Sequence, residues 1–282
     1  MDHTIRSAKL RGLETAWIER GENNPTILMM LHGYPDNAHS WDLQIAEFEK
    51  DFHVVAPFSR GARPSEKSAQ LSRYGHTALA LDQLQILQNI DPKQGKKVIL
   101  LGHDLGGTQA WHLATYLGKR LEKMIIINSL HARQWIKRID NPRQVARSWY
   151  IGAAMVPYLP EKLISRFPSQ MLAFAHRTGG LEVPKRPKLA TVLGSLVHPV
   201  NQYRAYIRDI PKTLRDRPQR IRQPVLILWS DQDSALVTPT QQEMSDYTYD
   251  CTIRILEGHH WLQREHPETV NTLIREFIAS DK

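Results

Sequence analysis

Gly102-His103-Asp104-Leu105-Gly106-Gly107 follows directly on the apolar run Val98–Leu101, and the pattern from Thr108 to Leu117 is helical. Small residues on each side of a strand-to-helix turn permit a sharp, strained bend that holds the central side chain clear of the backbone. The side chain presented here is a carboxylate. The amino terminus of the following helix carries partial positive charge, which favours an anion at that place. Taken by itself the segment fits two descriptions equally: a turn that presents Asp104 as a nucleophile, and an ordinary turn in which aspartate caps a helix. A nucleophile needs a base, and the base needs an orienting group. After Val225–Trp229 comes Ser230-Asp231-Gln232-Asp233-Ser234, and after Thr252–Leu256 comes Glu257-Gly258-His259-His260-Trp261. Spacing leaves Asp231 against Asp233, and His259 against His260, open. The turn after Thr26–Leu31 reads His32-Gly33-Tyr34-Pro35. Its Tyr34 N–H is placed to join that of Leu105 as an oxyanion hole, whose donors are worth roughly 3 kcal/mol each.

The elements that carry these turns are legible as short runs rich in Ile, Val, Leu and Met: Thr26–Leu31, His53–Pro57, Val98–Leu101, Met124–Ile127, Val225–Trp229 and Thr252–Leu256. Helical patterns lie between them, the signature of parallel strands joined by crossover helices. Residues 13–19 add an antiparallel edge strand. Trp41, Ile45 and Phe48 share one helix face, as do Ala80, Leu84 and Leu87. The last helix is expected to begin at Pro267, with Val270, Leu273, Ile274 and Phe277 as its apolar stripe. The acid and histidine turns then sit at carboxyl ends of parallel strands, where the sites of open α/β sheets assemble. Nucleophile, acid, histidine is the chain order of the α/β-hydrolase fold. The expected fold is therefore α/β, of the α/β-hydrolase type, with a mostly parallel central sheet flanked by helices and an inserted helical cap.

From about Ser129 to Gln223 no comparable strand occurs, and the chain turns to Trp, Tyr, Pro and Arg at helical spacing. The expected division is a core of residues 1–130 and 221–282 and a helical cap of residues 131–220. Between His131 and Arg222 there are 18 Lys or Arg against 5 Asp or Glu, although the whole chain is only +8, so the flanks are acidic. A basic patch can draw in nucleic acid. These residues, however, are spaced along helical stretches containing Pro160, Pro168, Pro184 and Pro187, which reads as a solvated lid surface with no nucleic-acid partner.

A chain of 282 residues with 41% hydrophobic and 23% charged residues buries a full core as one main domain plus an insertion. Met1–Gly21 holds no signal-peptide core, and no later stretch reads as a membrane span, so a cytoplasmic protein that does not engage membranes is expected. The single cysteine, Cys251, opens a strand and reads as core. No H-E-x-x-H spacing occurs, and neither a metal nor an organic cofactor is expected. Oligomeric state is open, a homodimer included.

These segments resemble the epoxide hydrolase branch of the α/β-hydrolase superfamily over nearly the whole chain. His32-Gly33-Tyr34-Pro35 is similar to that family's H-G-x-P loop, which implies a cis Pro35 against the substrate, and Gly102–Gly107 is similar to its G-H-D-x-G-G nucleophile segment. Trp229–Asp233 looks like a W-G-x-x-D acid turn, which selects Asp233. Gly258–Gln263 looks like a G-H-W-x-Q segment, which selects His260. The family is marked by two cap tyrosines that hold the epoxide oxygen. Ser148-Trp149-Tyr150 looks like the first, and Asn201-Gln202-Tyr203-Arg204 like the second, with Tyr158 and Tyr206 as competitors. Gln202 stands where the family usually has tryptophan, and Ser59–Ser65 lacks the second glycine of the usual R-G-x-G-x-S turn.

The resemblance implies a small-molecule epoxide and water as reactants. Asp104 attacks a ring carbon, Tyr150 and Tyr203 protonate the opening oxygen, and His260 oriented by Asp233 activates water against the resulting ester. Aspartate suits this better than serine, because an ether on serine would be inert whereas an ester can be hydrolysed. Pro35, Trp41 and Trp149, with Trp111, are expected around the substrate. A dehalogenase shares the Asp, Asp and His set, but haloalkane enzymes usually place tryptophan just after the nucleophile and fluoroacetate enzymes arginine, where this chain has Leu105. An idle binding protein of the same fold is the other rival, against which stands the completeness of the set.

Overall fold

The computed structural model describes residues 3–181, 196–197 and 199–280. Runs in which nearly every residue is Ile, Val, Leu or Met can be covered only if both sheet faces are packed, and the chain does this. The strands are β1 (Ile5–Leu10), β2 (Leu13–Arg20), β3 (Thr26–Leu31), β4 (His53–Pro57), β5 (Lys97–His103), β6 (Leu121–Ile127), β7 (Val225–Ser230) and β8 (Cys251–Leu256). They form one sheet in the order β1-β2-β4-β3-β5-β6-β7-β8. β1, β2 and β4 pair antiparallel in turn, and the remaining pairs are parallel. Side chains alternate between faces along each strand. Leu28 and Met30 therefore join Trp41, Ile45 and Phe48 on one side, while Ile27, Met29 and Leu31 join Leu113 and Trp111 on the other. Residues 13–19 do form an antiparallel strand, but not the edge: β1 lies outside it.

The helices of the core are α1 (Asp42–Phe48), α2 (His76–Ile90) and α3 (Leu105–Leu117). Between β6 and β7 follow α4 (Ala132–Lys137), α5 (Pro142–Arg147), α6 (Trp149–Met155), α7 (Leu159–Arg166), α8 (Pro168–Thr178), α9 (Val200–Arg208) and α10 (Ile210–Arg215). The chain ends with α11 (Gln241–Met244), α12 (Leu262–Glu265) and α13 (Pro267–Ala279), whose Val270 and Ile274 are fully buried. Residues 182–195 and 198, which include the expected insertion's Pro184 and Pro187, lie outside the described residues. Among the described residues no helix is long and apolar enough to cross a membrane.

Ile151, Ile164, Leu172 and Val200 of the helices between β6 and β7 pack with Leu105, so this segment lies over the amino end of α3. Its arginines are only partly a solvated surface. Arg138 is buried against Glu243 and the Thr238 carbonyl. Arg133 donates to the carbonyls of Thr213 and Asp216, and Arg204 to those of Ala154 and Val156. Arg133 and Arg204 thus satisfy backbone oxygens at the ends of short helices, groups that would otherwise be left without partners.

Strand register brings the loops together. Leu31 pairs with Gly102, so the turns leaving β3 and β5 start side by side at the point where strand order reverses. Ser230 pairs with Leu256, which brings the loops after β7 and β8 level in the same way.

Candidate active site

Asp104 occupies the residue between β5 and α3 with φ +50° and ψ −126°, a region L-residues rarely enter. Its side chain makes no capping hydrogen bond, which removes the reading of Asp104 as a helix cap. The turn is tight enough that a Cβ at Gly106 would overlap the carbonyls of Leu31 and His32, and one at Gly33 would overlap the Asp104 carboxylate. Glycine at both places is a steric requirement of two loops in contact.

The Asp104 carboxylate accepts from the Tyr34 N–H at 2.8 Å through Oδ2, and the Leu105 N–H beside it also favours the charged form. The Tyr34–Pro35 peptide is cis, as expected. Burial pushes the Asp104 carboxyl above its ordinary range, opposed by His260 and by the two N–H donors. His260 Nε2 stands 3.8 Å from Asp104 Oδ1, beyond hydrogen-bond length, while its Nδ1 is 2.9 Å from Asp233 Oδ2. The other Asp233 oxygen accepts from the N–H groups of Ala235 at 2.7 Å and Leu236 at 2.9 Å. Burial would raise the Asp233 carboxyl, but His260 and these donors hold it below its usual range. For His260, burial opposes the charge, yet Asp233 and then Asp104 outweigh it and raise the imidazole to about 9.

The pairs left open by spacing separate cleanly. His259 is part exposed and turned to Glu265 at 3.2 Å. Asp231 accepts from the Gly258 N–H at 3.2 Å, within the loop. Asp104, Asp233 and His260 converge.

Tyr150 on α6 and Tyr203 on α9 border a cavity of about 590 Å³, counting its opening to solvent, on whose floor Asp104 lies. The two rings meet edge to face with centroids 5.7 Å apart. Burial, then the neighbouring carboxylate and phenol groups, push both phenols above their ordinary range, so both keep their protons. Tyr34 packs edge-on against Tyr203 and donates its hydroxyl to the Leu196 carbonyl. Gln202, the departure from the resembled pattern, accepts from Gln109 at 3.2 Å, and Gln109 accepts from Gln83 at 2.6 Å. A buried amide chain thus joins α2, α3 and α9.

Not every expected contact is at the cavity. Trp41 is fully buried in the core beside Ile45, and Trp149 is 58% exposed, packed edge-on against Phe174; neither borders the cavity. Trp111 is core as well. Tyr158 is exposed on the outside, whereas Tyr206 shares the cavity with Tyr203.

Three residues escaped the sequence reading. His76 at the start of α2 and Trp135 on α4 border the cavity, and no motif marks either. Asn128, buried just after β6, donates to the carbonyls of His259 and His260 and accepts from the Ser230 N–H at 2.8 Å, tying the histidine loop to two strands. A lone Asn at the carboxyl end of Ile125-Ile126-Ile127 was its only signal.

The alpha/beta hydrolase fold family matches residues 26–267. Among curated proteins, epoxide hydrolase 3 of Mus musculus is 30% identical, over 98% of this chain and 76% of its own length. Epoxide hydrolase 4 of Mus musculus is 28% identical, over 99% of this chain and 80% of its own. Among solved structures, a mutant epoxide hydrolase from Bacillus megaterium superposes with a TM-score of 0.81 at 23% identity, covering 98% of this chain and all of that one (100%), a likeness of fold.

Proposed function

The chain belongs to the epoxide hydrolases of the alpha/beta hydrolase fold family and is a hydrolase, and from that premise we propose that it opens a small-molecule epoxide to a vicinal diol through an ester on Asp104. The observation that carries this reading is one cavity holding a buried carboxylate on its floor and two protonated phenols above it. An epoxide needs both at once, a nucleophile at carbon and an acid at oxygen.

Asp104 Oδ2 is engaged by backbone N–H, so Oδ1 is the oxygen that attacks a ring carbon. The C–O bond breaks, and Tyr150 or Tyr203 gives its proton to the departing alkoxide. The imidazolium of His260 restores that proton and becomes a neutral base. His260 then takes a proton from water, whose oxygen bonds to the Asp104 carbonyl carbon. The Tyr34 and Leu105 N–H groups hold the oxyanion. Collapse breaks the ester bond, and the leaving alkoxide takes the proton from His260. The proton left on the Asp104 carboxyl returns to His260, which closes the cycle. Residues 131–220 act as the cap domain that brings the two tyrosines to the core of residues 1–130 and 221–282, and Asp233 orients the base. Pro35, the core Trp41 and the outer Trp149 take supporting roles, since none of the three borders the cavity.

The test is the fate of water oxygen. In oxygen-18 water, a single turnover gives unlabelled diol and label in the Asp104 peptide, and Asp104→Ala forms no ester. Labelled diol from one turnover, with Asp104 unlabelled, overturns the covalent route in favour of direct attack by water.

A further inference from the structure

Beyond the reacting groups the cavity is mostly apolar, lined by residues such as Leu130, Trp135, Ile136 and Ile207, and His76 is out of place among them. It does not touch the triad. Its ring stacks on Tyr206 with centroids 3.5 Å apart and planes 25° off parallel. Tyr206 lies three residues after Tyr203 on α9, which moves it about 5 Å along the helix. The His76–Tyr206 pair therefore stands one helical turn from the phenol that would hold the epoxide oxygen.

We propose that His76, supported by Tyr206, is a second binding subsite in this cavity, which takes a neutral hydrogen-bond acceptor of the substrate such as a carbonyl, ether or hydroxyl oxygen. The inference rests on the epoxide reading and adds the substrate class: neutral epoxides with an apolar body and an acceptor oxygen about 5 Å from the ring oxygen, the span of one turn of α9. His76 Nδ1 is enclosed with no hydrogen-bond partner. A buried N–H without an acceptor is less tolerated than a buried lone pair without a donor, so the proton belongs on Nε2 and the ring is a donor to whatever fills the cavity. Burial, then His112 and His131, keep His76 neutral, well below the ordinary imidazole range. Among the described residues no Lys or Arg borders the cavity. A carboxylate-ended epoxide would meet no countercharge there and is disfavoured.

The test pairs a keto-epoxide, its carbonyl two methylenes from the ring, with the isostere in which =CH2 replaces the carbonyl oxygen. The wild-type protein should favour the ketone in kcat/KM by about 5-fold, the worth of one neutral hydrogen bond. His76→Phe, which keeps a ring to stack on Tyr206, should bring the ratio near one, and His76→Gln, which keeps a donor, should restore part of it. Equal rates on both compounds by the wild-type protein, or an unchanged ratio in His76→Phe, overturns the subsite while leaving epoxide hydrolysis intact. Turnover of neither compound, nor of styrene oxide, removes the epoxide reading and the subsite with it.

Discussion

Esterification of Asp104 should switch its neighbour from an acid into a base. In the free protein Asp233 and Asp104 outweigh burial and hold His260 at about 9, so the imidazole is charged at neutral pH. In the proposed reaction, attack on an epoxide turns the Asp104 carboxylate into a neutral ester and removes one of those two anions. With His260 Nε2 3.8 Å from Asp104 Oδ1, a unit charge at that range is worth about 4 kcal/mol at an effective dielectric near 20, or about 3 pKa units. That is an upper bound, because Asp233 acts on His260 more strongly than Asp104 does and remains in place. A fall of about 1 to 3 units puts His260 of the ester at roughly 6–8. The sign is fixed: loss of an anion destabilises the charged imidazole and lowers its pKa. Ester decay, which needs neutral His260, should rise with pH and level off with that apparent pKa. Acid quenching after rapid mixing, with mass spectrometry of the Asp104 peptide, follows formation and decay of the ester separately. Decay that climbs only around pH 9, at the same pKa as free His260 followed by NMR, would refute the electrostatic switch, and decay indifferent to pH would refute the base.

His260→Gln should form one equivalent of ester and stall, with kcat reduced on the order of 10³-fold or more and the Asp104 peptide heavier by the mass of the epoxide; full turnover would remove His260 from the mechanism. Tyr150→Phe and Tyr203→Phe should each slow ring opening by about 10²-fold or more while ester decay changes little, so single-turnover kinetics separates them from a packing defect, which would slow both steps. Trp41→Ala should destabilise the fold by about 3–5 kcal/mol in denaturant titration, since its indole is fully buried in the core, without altering the order in which epoxides are preferred.

The central strands could be read because burial on both faces demands an uninterrupted apolar run, and Met124–Ile127 or Val225–Trp229 has no other use. β1 could not, since the edge strand Ile-Arg-Ser-Ala-Lys-Leu is mostly exposed and needs no such run. Asp104 was legible from the glycines around it, because close contact of two loops forbids a Cβ at Gly33 and Gly106. The aromatic side chains were harder. Trp149 and Tyr150 are adjacent on α6, and adjacent helical positions point about 100° apart, so only one of them can face inward. Tyr150 does, and Trp149 is left outside.

What spacing left open was decided by hydrogen bonding. Asp231 and Asp233 leave the same strand two residues apart, but only Asp233 has two N–H groups, of Ala235 and Leu236, waiting on one oxygen, which leaves its other oxygen to His260. His259 is claimed by Glu265 through both its backbone and its ring, so its neighbour turns inward. Asn128 then grips the carbonyls of both histidines and the Ser230 N–H, which fixes the histidine loop against β7. The chain thus singles out its candidate base by occupying the alternatives, and the residues that do so, Glu265 and Asn128, carry no motif of their own. The candidate set was readable from residue type and order, while which of its members converge was written in the partners of the residues beside them.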